Sequence, residues 1–167
     1  MWLLASTFAL SLPKKIKTPL PKLIGNIGCY VPLFSQPNQV GYYQTNEGEE
    51  IFFGEIKEEE ITYGLLVVSG KKQLLMEPEV LLSDLFHDLF YTLGMKHRSG
   101  LISEGFLVDN YCIKTVSEYW QNKTGIDCKA KGFTDGKTMG ILYIKNISEL
   151  SAIKMEGYLN SLRYSVS

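Results

Sequence analysis

The sequence predicts an α+β fold: an N-terminal antiparallel β-meander, then an antiparallel helix pair, then a strand and a C-terminal helix. Three observations carry this. Runs of β-forming residues separated by turn residues fill positions 26–76. Leucine and phenylalanine recur at helical spacing between Pro78 and Gly94. The chain has 167 residues, 45% of them hydrophobic and 21% charged, which suits one domain that buries a core without disulfides.

Residues 1–24 are set apart from a single α+β domain over 25–167. Trp2 to Leu12 is apolar and almost uncharged. It is shorter than the roughly 20 apolar residues that span a bilayer. Its positive charge, at Lys14, Lys15 and Lys17, follows the apolar run, whereas a signal peptide carries charge before it. The segment is read as a buried strand or helix, with membrane contact through Trp2–Leu12 as the other reading. Pro13, Pro19 and Pro21 then punctuate an extended arm.

The expected strands are Gly28–Val31, Val40–Tyr43, Ile51–Phe53 and Ile61–Val68. The last ends in a continuous apolar run, which places it centrally in its sheet. Glu58-Glu59-Glu60 reads as a solvated loop. A first helix starts with Pro78 at its first position and stops before Gly94, with Leu82, Leu85, Phe86, Leu89 and Leu93 on its apolar face. A second helix is expected from Leu101 to Gln121, with Phe106, Ile113, Val116 and Trp120 on one face. Asp135-Gly136 reads as a turn before a strand, Met139 to Ile144. Asn146 and Glu149 form a capping pattern for the last helix, whose core contacts include Leu150, Ile153 and Leu162.

A formal net charge of −1 gives no general attraction to phosphate backbones, which argues against nucleic acid as a partner. Lys14-Lys15-Ile16-Lys17 is a solvated turn on this reading. Cys29, Cys112 and Cys128 are odd in number and form no Cys-x-x-Cys pair. Buried free thiols are expected, with a Cys112–Cys128 bridge as the alternative. A cytoplasmic or virion-associated location is expected over a secreted one. Two glycosylation triplets, at Asn122 and Asn146, are short enough to arise by chance.

One constellation carries chemistry. Asp84, His87, Asp88 and Tyr91 are spaced by three and four, so on a helix they share one polar stripe. A histidine beside a carboxylate at the edge of an apolar face is suited to general-base catalysis. On the expected second helix Asp109 falls among Phe106, Cys112, Ile113 and Val116, where an ionised carboxylate needs a partner. Packed antiparallel, the helix pair would point Asp109 at His87 or Tyr91. Two outcomes stand: a dyad in which Asp109 orients His87, or a buried hydrogen bond that locks the helices together.

The pattern His87-Asp88-x-x-Tyr91, followed by Asp109, resembles the phospholipase A2 superfamily. It is most similar to compact forms in parvovirus capsid proteins and to short phage and bacterial proteins with such a helix. The likeness covers residues 80–121. It implies that His87 activates a water, Asp109 orients His87, Tyr91 bonds Asp109, and Asp88 ligates a calcium ion that polarises an ester. The glycine-rich calcium loop of that family has its nearest counterpart here in Gly25-Asn26-Ile27-Gly28. Taken from the residues alone, Asp88 supplies at most two of the six or more oxygens that calcium needs. His87-Asp88-x-x-Tyr91-x-x-Gly94-x-x-His97 is also similar to the zinc motif of metzincin proteases, with Tyr91 in place of a ligand and Asp88 in place of the general base.

The expected function is therefore an ester or lipid hydrolase using His87, with the likeness placing it among phage-related proteins. The alternative is a non-enzymatic interaction or virion structural protein, with a protein or lipid partner, in which the same residues only lock the helix pair. A degenerate metzincin-like protease is a minor third reading.

Overall fold

The structure is a computed structural model and describes residues 29–30, 39–46, 48–69, 77–108, 111–136, 138–160 and 163–164. The elements in chain order are β1 (Cys29–Tyr30), β2 (Gln39–Gln44), β3 (Glu50–Glu58), β4 (Ile61–Ser69), α1 (Pro78–Thr92), β5 (His97–Val108), β6 (Tyr111–Gln121), β7 (Asp127–Thr134), β8 (Thr138–Lys145), α2 (Ala152–Leu159) and β9 (Arg163–Tyr164). A short 3-10 turn, Ile147–Glu149, precedes α2. Among the described residues β1 pairs only with β9. The other strands form one antiparallel seven-stranded sheet in the order β2-β3-β4-β8-β7-β6-β5.

Strand alternation divides the core into two layers. On one face Ile51, Leu66, Val68, Val116, Trp120, Met139, Ile141 and Tyr143 meet Leu81, Leu82, Leu85, Phe86, Leu89 and Phe90 of α1. On the other, Phe52, Leu65, Val67, Phe133, Leu142 and Ile144 meet Tyr158 and Leu159 of α2. The sheet is thus covered by a helix on each face. That explains why β4 and β8 are apolar at consecutive positions and do not alternate with polar residues.

The expected helix over Leu101–Gln121 is overturned. Those residues lie in β5 and β6, which pair antiparallel from His97↔Gln121 to Val108↔Tyr111, with a register shift between Ser99 and Ile102. The segment is rich in β-branched and aromatic residues, and in β6 Val116 and Trp120 are buried at alternate positions. That period of two prevails over the helical spacing of Phe106, Ile113, Val116 and Trp120. A further strand, β7, occupies residues for which no element was expected. The fold is therefore dominated by strands, and no helix pair lies between them.

Other expectations fare differently. α1 begins with Pro78 in its first turn, and Gly94 just past its end has φ +69°. β4 is central, between β3 and β8. Asp135-Gly136 is a turn: Asp135 Oδ1 accepts from Thr138 N at 2.7 Å, and Gly136 has φ +89°. Asn146 does not cap α2. It adopts a left-handed conformation before the 3-10 turn, and Ser151 Oγ accepts the capping bond from Lys154 N at 3.4 Å. Ile153 is 86% exposed and makes no core contact, while Leu150 is partly buried against the α2 layer. Cys128 is a buried free thiol, so the Cys112–Cys128 bridge does not form. The Trp2–Leu12 segment, the proline arm, Gly25–Gly28 and Leu162 lie outside the described residues.

Gly132 in β7 sets the seat of α1. A Cβ built there would lie 2.3 Å from Cε2 of Phe86 and 3.2 Å from Cδ2 of Leu82. The Phe86 ring occupies the space that a side chain would need. Gly132→Ala is expected to destabilise the fold by about 1–3 kcal/mol in urea unfolding, through overpacking. Placing it in a Phe86→Leu background should recover part of that loss relative to Phe86→Leu alone.

Candidate functional site

α1 buries one side completely and leaves the other in solvent. Its outer side carries Val80, Ser83, Asp84, His87 and Tyr91, all exposed, with Asp88 half-buried at the margin. The predicted polar stripe therefore exists, on the predicted helix. The His87 and Tyr91 rings meet edge to face, with centroids 4.6 Å apart. Tyr91 also meets Phe90 at 5.4 Å, and Phe90 meets the buried Trp120 at 5.7 Å. An aromatic chain thus runs from the surface into the core. Thr92 Oγ1 donates to the Asp88 carbonyl at 2.8 Å and closes the last turn.

Desolvation, and then the charge of Asp84, raises the Asp88 pKa, while His87 opposes the rise. Burial pushes the Cys128 thiol far above its ordinary value, which makes it a poor nucleophile.

Asp109 lies outside the described residues. The strand that precedes it is placed. Lys114, which pairs with Gly105 across the hairpin, reaches Glu79 in the first turn of α1 at 3.3 Å. Arg98, at the other end of β5, stacks 5.6 Å over Phe90 in the last turn. β5 therefore runs back along α1, and its beginning lies at the end of the helix that carries His87 and Tyr91. Because Arg98 faces α1, alternation turns His97 to the opposite face of the sheet, so His87 and His97 are not brought together. Among the described residues no group of three or more His, Cys, Asp or Glu side chains could hold a metal ion. No helix among them is long and apolar enough to cross a membrane.

Two polar clusters, one around the buried Glu118 and one around the partly buried Glu55, were not foreseen. Glu118 in β6 is 6% exposed. Its carboxylate accepts from Arg98 Nε at 2.8 Å, from Arg98 Nη2, and from Trp120 Nε1 at 2.5 Å. A carboxylate this deep is tolerated because every oxygen has a charged or polar donor. On the same face of the sheet, Glu55 in β3 accepts from the Tyr143 hydroxyl and from Lys145 Nζ at 3.0 Å. Burial first, and then the Glu55 charge, pushes the Tyr143 hydroxyl well above its ordinary pKa. The signal for Glu118 was its place between Val116 and Trp120 at period two, visible only once the segment is read as a strand.

No protein-family model matches the chain, and no curated protein matches it.

Arg98→Met removes the guanidinium and strands the buried Glu118 carboxylate. It is expected to destabilise the fold by about 3 kcal/mol in chemical unfolding. The double variant Arg98→Met, Glu118→Leu, with no charge left to bury, should regain most of that loss.

Asp88 gives a second test. An acid with a raised folded-state pKa binds its proton more tightly folded than unfolded, so its ionisation opposes folding as pH rises through the folded value. Asp88→Asn is therefore expected to raise the melting temperature at pH 7. Below about pH 3, where Asp88 is largely protonated in both states, the difference should shrink towards zero.

Proposed function

We propose that the chain is a non-enzymatic binding module that engages a protein partner through the solvent face of α1. The observation that carries this reading is the exposed aromatic pair on that face: Tyr91 is 59% exposed and braced by both His87 and Phe90. A large side chain held in one orientation loses little entropy when a partner covers it. Tyrosine is also among the residues that dominate binding energy at interfaces. Val80, 45% exposed, extends the apolar surface toward the start of α1. Asp84 and Asp88 flank the aromatic pair with negative charge. The matching partner surface carries an arginine or lysine that pairs with these carboxylates and stacks on the Tyr91 ring.

This reading keeps the interaction alternative drawn from the sequence but moves its residues. His87 and Tyr91 present a surface; the helix pair they were expected to lock does not exist. A hydrolase using His87 remains the reading against which it is tested.

Placing a photoreactive benzoylphenylalanine at position 91 in the protein's own host should give one predominant protein adduct, identified by mass spectrometry. With that partner purified, Tyr91→Ala should weaken binding at least tenfold, consistent with an interface anchor of roughly 2 kcal/mol. Added salt should weaken binding too, because the carboxylates contribute. The same variant should shift folding stability by no more than about 0.5 kcal/mol. Turnover of a short-chain ester that disappears in His87→Ala would overturn the proposal in favour of the hydrolase.

A further inference from the structure

A second surface lies on the opposite side of the sheet. A cavity of about 360 Å³ opens between α2 and the β3–β4 hairpin, lined by Ile56, Glu58, Tyr63, Lys154, Gly157 and Tyr158. Its volume falls in the range of small-ligand sites, roughly 300–1,000 Å³. We infer that this cavity binds a small molecule with a flat aromatic body that carries both an ammonium and a carboxylate, as an aromatic amino acid does. The inference is independent of the α1 surface.

The floor of the cavity is apolar and fixed. Tyr63 and Tyr158 meet edge to face, with ring centroids 5.1 Å apart. The Tyr158 hydroxyl donates to the Gly64 carbonyl at 2.8 Å, and Tyr158 is 2% exposed, so its ring is locked. Ile56 and Tyr63 are partly buried beside it. Such a floor favours an aromatic body, which packs edge-on or offset against other rings.

The rim is charged with both signs. Glu58 at the end of β3 and Lys154 in α2 are exposed, and neither forms an ion pair among the described residues. A ligand with one cationic and one anionic group can satisfy both, whereas a singly charged ligand satisfies one.

The wall is bare where a side chain would be expected. Gly157 lies within α2, where glycine is less favourable than alanine. Among the described residues a Cβ built at Gly157 meets nothing within 4 Å, so none of them requires a glycine there. What the glycine does provide is an uncovered helix backbone facing the cavity, open to the close approach of a flat ring.

Isothermal titration of the full chain with L-tryptophan, tryptamine and indole-3-propionate tests this. L-Tryptophan should bind tightest. Glu58→Gln should weaken tryptamine at least tenfold and leave indole-3-propionate unchanged, and Lys154→Gln should do the reverse. Gly157→Leu should abolish binding of all three while raising the melting temperature by about 2–4 °C, since leucine is the better helix former. If the leucine variant does not fold, Gly157→Ala serves, with binding weakened and the melting temperature still raised. No heat from L-tryptophan at millimolar concentration overturns the inference. So does binding that is indifferent to Gly157, or to both Glu58 and Lys154. None of these outcomes bears on partner capture at Tyr91, so the two readings fail separately.

Discussion

Leu65–Val68 in β4 and Ile141–Ile144 in β8 lie side by side, joined through Leu65↔Leu142 and Leu66↔Ile141, and each run sends side chains into both layers of the core. A strand that is apolar on both faces is stable only if both are removed from water. This requirement fixes the positions of α1 and α2, one to a face. It also forces the polar residues of the inner face to find partners within the sheet, as Glu55 and Glu118 do. With one side of α1 held down by Leu81, Leu82, Leu85, Phe86, Leu89 and Phe90, the side chains of Val80, Ser83, Asp84, His87 and Tyr91 on the other side face solvent.

How much of this was legible depends on how many periods a segment satisfies at once. In α1 one period fits: leucines at helical spacing, a proline in the first turn and a glycine past the end. β4 was equally plain, because eight residues of β-formers ending in four buried aliphatics fit no surface element. Residues 101–121 satisfy two periods. Phe106, Ile113, Val116 and Trp120 suit a helix, while Thr115, Ser117 and Tyr119 alternate with Val116, Glu118 and Trp120 as in a strand. Pairing with β7 decides the matter, and that partner was itself hard to see. The inward positions of β7 are Cys128, Ala130 and Gly132. They are small because α1 and its Phe86 ring fill the space above them, so the strand carries a weak hydrophobic signal.

The candidate site was legible to the same extent. The stripe Asp84, His87, Asp88 and Tyr91 depended only on α1, and it is where the spacing put it. The role given to Asp109 was drawn from a second helix; that segment forms β5 and β6 instead, and Asp109 itself lies outside the described residues. The Arg98–Glu118 pair and the Glu55–Tyr143–Lys145 cluster join residues that are far apart in sequence, and their geometry exists only in the register of the sheet. Gly157 is a different case. A glycine inside a helix was present in the sequence, but its meaning depends on what surrounds it, and none of the described residues comes within 4 Å of a Cβ built there.

The pairing of β4 with β8 also bears on how the chain is made. Tyr63 must wait for Ile144, and Val68 for Met139, before the sheet can close. During synthesis the β2–β4 meander leaves the ribosome long before its central partner, with an unpaired strand edge and apolar side chains on both sides. Closure over so long a loop is slow, and such an edge invites pairing with another chain. The nascent protein is thus most vulnerable to aggregation while residues 70–137 are being added, and that interval is when a chaperone would have the most to protect.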